Sequence, residues 1–219
     1  MKDYEMILEQ VKQMYGSFDN VRSKEINMIA NKTYYMLPDN NDNLIELLDK
    51  LLEENNAMIF PLMTVWIKKR QPYDLKYLNT YEKWLYMYVN RWGRCDIYSY
   101  HVLNPMYERY QFNDKLEVWS LSNLTYVRRA AAVVMIKSTR SFEVNADIKL
   151  VLKIASSLAN DKELHVQKGV GWLLKYAYIR YPEQIELFLR KNVKWLPRTV
   201  FRYALEKVPD NLRRELMKI

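Results

Sequence analysis

The chain has 219 residues, 49% of them hydrophobic, with 34 Lys+Arg against 26 Asp+Glu for a net charge of +8. That length fits one domain or one continuous array with a buried core. Four Gly and seven Pro argue against a β-sandwich, a barrel or a Gly-rich nucleotide-binding fold. The lone Cys95 excludes a disulfide framework and a multi-Cys zinc site, and two histidines, His101 and His165, leave little for a His-based metal site.

In chain order the pattern is helix after helix. Tyr4, Ile7, Leu8, Val11 and Tyr15 recur at three- and four-residue spacing and form a first stripe, ended by Gly16. A second helix is predicted from about Arg22 to Met36, before Pro38. A third runs from Asn43 to Glu54 with Leu44, Leu47, Leu48 and Leu51 on one face, and Ala57 to Arg70 follows, stopped by Pro72. Tyr73–Asn90 is long and aromatic, and Asp96–Leu103 is a short helix before Pro105. Then come Asn113–Leu121, Asn123–Lys137, Asp147–Ala159 and Lys162–Arg180. Pro182 opens a helix to Asn192, as proline is tolerated in a first turn; Pro197–Val208 and Asn211–Lys218 complete the chain. No strand is predicted; Glu143-Val144 is the nearest candidate.

The helices fall into short-looped pairs with second members near Ala57, Asn123, Lys162 and Pro197, a spacing that matches the HEAT class of repeat. Each pair cannot bury its apolar face alone, so neighbours stack. The expectation is all-α: one domain over 1–219, a right-handed superhelix of HEAT-like pairs with a concave basic face. The second helices would line that face and place Lys68, Arg94, Arg128 or Arg129, Lys168, Arg198 and Arg202 along it.

The charge is uneven. Residues 1–56 hold 6 basic and 11 acidic side chains; residues 57–219 hold 28 and 15. A long basic segment is a pointer to a polyanion, though a solvated Lys-rich surface reads the same way. The start Met1-Lys2-Asp3-Tyr4-Glu5 lacks the pattern of an export signal, and the longest clean apolar run, Ala130–Ile136, is far short of a membrane span. A cytoplasmic protein with no membrane role is expected.

Standard enzyme motifs are scarce: there is no phosphate-cradling Gly loop, nucleophile elbow or His-Glu-x-x-His helix. Cys95 with His101 is a poor thiol–imidazole dyad. Four residues hold more interest. Trp92 and Asp96 flank Gly93-Arg94-Cys95, Arg129 precedes three alanines, and Trp172 follows Gly171. Each also has a structural reading. The indoles would suit a core, Asp96 would suit a helix N-cap, Arg128 and Arg129 point about 100° apart on a helix, and Gly171 would permit close helix packing.

Four segments bring in a resemblance. Leu164-His165-Val166-Gln167-Lys168-Gly169-Val170-Gly171-Trp172-Leu173-Leu174-Lys175-Tyr176, Tyr126-Val127-Arg128-Arg129-Ala130-Ala131, Pro197-Arg198-Thr199-Val200-Phe201-Arg202-Tyr203-Ala204 and Trp92-Gly93-Arg94-Cys95-Asp96 resemble blocks of the AlkD-type HEAT-like-repeat family of DNA alkylation repair glycosylases. The resemblance runs from about residue 57 to 208. It implies hydrolysis of the N-glycosidic bond of cationic N3- or N7-alkylpurines in duplex DNA. The cationic base is already a good leaving group, so the developing oxocarbenium ion needs a nearby anion and a positioned water. On that resemblance Asp96 is the carboxylate, Trp92 and Trp172 are the indoles against the lesion, and Arg129 grips phosphate; the concave-face cations Arg94, Lys168, Arg198 and Arg202 are the further candidate phosphate contacts. No metal or cofactor is implied.

The chain departs from that family twice. Gly93 stands where an Asp is usual. The connection Gly16–Val21 has six residues where the family carries an extra groove-bordering helix, and the N-terminal region around it is acidic. Both features resemble short-form paralogues. The expectation is a family member with a retained pocket, weak electrostatic binding of duplex DNA and little or no excision. The alternatives are an active alkylpurine glycosylase and a HEAT protein–protein scaffold. A monomer is expected, and a protein partner stays open.

Overall fold

The computed structural model describes residues 3–15, 22–54, 56–138 and 143–218. Its helices are α1 (Asp3–Tyr15), α2 (Ser23–Thr33), α3 (Asn41–Glu53), α4 (Ile59–Arg70), α5 (Leu78–Tyr88), α6 (Trp92–Tyr98), α7 (Asn104–Tyr110), α8 (Asn113–Ser120), α9 (Thr125–Val133), α10 (Ile148–Ser157), α11 (Leu164–Arg180), α12 (Pro182–Asn192), α13 (Arg198–Ala204) and α14 (Asp210–Leu216). The all-α class is the one expected. The six-residue connection Gly16–Val21 lies outside the described residues.

The chain divides into two compact units, Met1–Glu82 and Lys83–Ile219. In the first, α1 packs on α2 and α3, and α4 packs on α2 and α3. The stripe on α3 is fully realised: Leu44, Leu47, Leu48 and Leu51 are all buried, each contributing roughly 1.5–3 kcal/mol. Asn40 caps α3, its side chain accepting from the backbone N–H of Asp42 at 2.8 Å and of Asn43 at 3.2 Å. Trp66 is wholly buried, and its indole N–H donates to the Ala30 carbonyl at 3.0 Å, tying α4 to α2.

In the second unit α11 is the central element, packing against α9, α10, α12 and α13. Val166, Val170, Leu173, Leu174, Tyr176 and Ala177 are all buried, so α11 is enclosed on most of its circumference, as a core helix should be. Asp147 caps α10 through the backbone N–H groups of Lys149 and Leu150.

Three readings need correction. The helix expected over Asn123–Lys137 ends at Val133, and Ile136–Ser138 (β1) pairs antiparallel with Glu143–Val144 (β2), Ile136 opposite Val144. The β-branched run Val133-Val134 and Ile136 serves a strand as readily as a helix. The helix expected from Asp96 begins at Trp92, so Gly93-Arg94-Cys95 is helical and Arg91, not Asp96, is its N-cap. The chain does not break before Pro105 either. A π-helical turn over Ser99–Leu103 leads without a break into α7, which holds Pro105 in its first turn. No helix among the described residues is long and apolar enough to cross a membrane.

Candidate functional site

Three helices of the second unit bring the sequence-predicted residues together. α6 supplies Asp96, α9 supplies Arg129, and α11 supplies Trp172 and the backbone of His165; α6 packs on α9 and α9 on α11. Asp96 is 8% exposed and Arg129 is 3% exposed. They form a two-pronged ion pair: Arg129 Nε donates to Asp96 Oδ1 at 2.8 Å and Nη2 to Oδ2 at 2.9 Å. This fork-on-fork geometry is the strongest that a guanidinium and a carboxylate can adopt. Arg129 Nη1 donates to the His165 carbonyl, and the Arg129 Cζ lies 5.4 Å from the Trp172 ring centroid. Burial alone would lower the pKa of Arg129; the hydrogen bonds and charge of Asp96 outweigh it and hold it above its ordinary value.

The space for Arg129 comes from Gly169. A Cβ there would sit 3.3 Å from both Arg129 Cγ and Nη1, tighter than ordinary contact. The neighbouring Arg128 turns elsewhere, as the helical offset requires. Its Nε bonds Asp161 Oδ2 at 2.6 Å and its Nη1 the Ser122 carbonyl at 2.9 Å.

The phosphate grip expected of Arg129 does not fit this placement. Its side chain is buried, and Nε, Nη1 and Nη2 all bond within the protein. Arg129 instead anchors the carboxylate. The indoles also differ from one another. Trp172 is half-buried against Arg129, whereas Trp92 is 55% exposed, its ring nearly parallel to that of His165 at 6.4 Å. The Tyr126 ring centroid lies 6.0 Å from that of His165, the two rings tilted. His165 and Tyr126 are site neighbours that sequence reasoning did not single out, although both fall inside the quoted segments.

Of the remaining cations, Arg198 and Arg202 are exposed one turn apart on α13, and Lys168 is half-buried on α11. Arg94 is half-buried, with Nη1 donating to the Tyr88 carbonyl at 3.0 Å; burial, then the charge of Arg91, lowers its pKa. Cys95 is fully buried and donates to the Tyr126 carbonyl at 3.4 Å. Burial first, then the charge of Asp96, pushes its thiol up to about 12. That environment suits an inert structural cysteine. No group of three His, Cys, Asp or Glu side chains that would hold a metal is found among the described residues.

Gly93 is not sterically required. A Cβ added to it meets nothing within 4 Å. Gly93→Ala is therefore expected to raise stability by about 0.5–1 kcal/mol, the helix-propensity difference, read as an upward shift in urea midpoint.

Residues 8–208 match the family model of the DNA alkylation repair enzymes. The chain belongs to that family. Among solved structures it is similar to the Pseudomonas fluorescens alkylpurine DNA glycosylase AlkC bound to DNA containing an abasic site analog, at 15% identity and a TM-score of 0.61. The likeness covers 99% of this chain and 66% of that one, so the chain spans just under two thirds of the glycosylase's length. No curated protein matches the chain.

Proposed function

We propose that this family member binds duplex DNA weakly and electrostatically, and that its Asp96 pocket supports little base excision. The observation that carries this reading is the Asp96–Arg129 pair. Both carboxylate oxygens face one guanidinium, so a developing oxocarbenium ion meets a neutral pair rather than a bare anion. The attraction of such a pair falls well below that of a single charge. The acidic balance of residues 1–56 and the six-residue connection after the first helix point the same way, because contacts to phosphate must supply damage recognition. The short Gly16–Val21 connection and Gly93 support a short-form paralogue, which on this reading acts as a cytoplasmic monomer without metal or cofactor. DNA as the partner is supported by the DNA-bound state of the similar glycosylase and by the exposed Arg198 and Arg202.

The assay is release of free base from N7-methylguanine duplex in single turnover. Release close to the protein-free rate is expected. Clear release that vanishes in Asp96→Asn would overturn the reading. Duplex affinity should fall steeply with salt, and Arg198→Ala with Arg202→Ala should reduce the log–log salt slope by about 2, roughly one per lost phosphate contact. An unchanged slope would remove α13 from the interface.

One observation favours the second reading, an active glycosylase: Trp92, one turn before Asp96 on α6, is 55% exposed, and an indole is the best aromatic partner for a cationic base. The same release assay decides between them.

A further inference from the structure

Tyr100 lies four residues beyond Asp96, within the π-helical turn Ser99–Leu103 that directly follows α6. Residues four apart share a helix face, and π turns occur frequently at functional sites. The Tyr100 ring is part-exposed, but its hydroxyl is buried and has no hydrogen-bond partner in the protein. Buried hydroxyls are almost always satisfied, so such a group needs an explanation. The charged and titratable groups that act on it are Asp96, Tyr176, Arg129 and Cys95. Burial, then the Asp96 charge, raises the phenol's pKa well above its ordinary value, so it remains a donor at neutral pH.

Asp96 has acceptor capacity to share. Each carboxylate oxygen has about two lone-pair sites, and Arg129 takes one on each. We propose that the Tyr100 hydroxyl and the Asp96 carboxylate together hold one water molecule, which makes Tyr100 a positioning residue of this pocket. The phenol donates to one lone pair of the water, and the water donates one hydrogen to Asp96. The second lone pair stays free to attack. This deepens the reading above, since it takes Asp96 as the centre of the site. In whatever hydrolysis occurs, the water oxygen bonds to the sugar anomeric carbon. The carbon–nitrogen bond breaks with its electron pair leaving on the cationic base, which departs neutral, and the water's proton passes to Asp96.

Two measurements test this independently. The first is crystallography of the full chain and of Tyr100→Phe at a resolution that shows waters. An ordered water within hydrogen-bond distance of both Tyr100 Oη and Asp96 is expected, lost in Tyr100→Phe. Direct bonding of Oη to a protein group, or no water there, overturns the proposal whatever the activity. The second compares thermal midpoint, duplex affinity and single-turnover release in the two proteins. Tyr100→Phe should keep its midpoint and its affinity. Any measurable release should slow about tenfold, the worth of one hydrogen bond. Equal rates would overturn the positioning role. If the wild type releases no base, the excision chemistry fails and the water structure still decides the Tyr100 proposal.

Discussion

Arg129→Ala is expected to cost about 3–5 kcal/mol of folding stability, because it leaves the Asp96 carboxylate buried with no cation. Asp96 is 8% exposed, and Arg129 bonds both of its oxygens at 2.8 and 2.9 Å. Removing the guanidinium also deletes the bond to the His165 carbonyl and the contact with Trp172. The loss therefore falls on three helices at once. The pair itself contributes far less than this, since two charges taken from water regain little more than their desolvation. A double substitution separates the two effects. Asp96→Leu with Arg129→Met fills the same volume without charge and should recover most of the stability, while either change alone should not. Equilibrium urea denaturation of the four proteins measures the coupling. A loss below about 1 kcal/mol in Arg129→Ala, the range of a surface pair, would show that the pair is solvated. The result bears on function as well, because a rate lost in Asp96→Asn means chemistry only once the fold of that variant has been checked.

Much of the helical framework was legible. The stripe Leu44, Leu47, Leu48 and Leu51 is buried as its spacing required, because helical periodicity reports burial directly. The resemblance blocks brought Asp96, Arg129 and Trp172 into one neighbourhood, and the structure does the same. Their pairing was not legible. Asp96 and Arg129 are 33 residues apart, and whether a cation 33 positions away serves a phosphate or a carboxylate depends on how α6 packs on α9. Local breakers misled in turn. Gly93-Arg94-Cys95 read as lying before a helix and Pro105 as its stop, yet α6 starts at Trp92 and a π-helical turn carries the chain past Pro105 without a break. The orphaned hydroxyl of Tyr100 was no more legible, since it sits in a π-helical turn that no periodicity announces.

Gly171→Ala should destabilise the second unit by about 1–3 kcal/mol, the usual cost of overpacking. The added Cβ would lie 2.5 Å from the Tyr203 Cβ and 3.0 Å from the Val200 carbonyl oxygen, so α11 and α13 touch through this position. The Cβ of Tyr203 is fixed to its backbone and cannot rotate away, so α13 must move. Helix propensity opposes the clash, as alanine gains about 1 kcal/mol over glycine in a helix interior, and the measured value is the difference. Gly93→Ala supplies the control: the same substitution in open space should raise stability where this one lowers it. Valine at 171 should cost more than alanine, because its branches extend further towards Val200. The displacement reaches the site through α11, which carries the His165 carbonyl, Gly169 and Trp172 around Arg129. A shift of this helix loosens the wall that presses Arg129 onto Asp96. In Gly171→Ala, then, amide exchange should quicken along α9 as well as along α11 and α13; protection lost on α13 alone would mean that the site is insulated from the helix contact behind it.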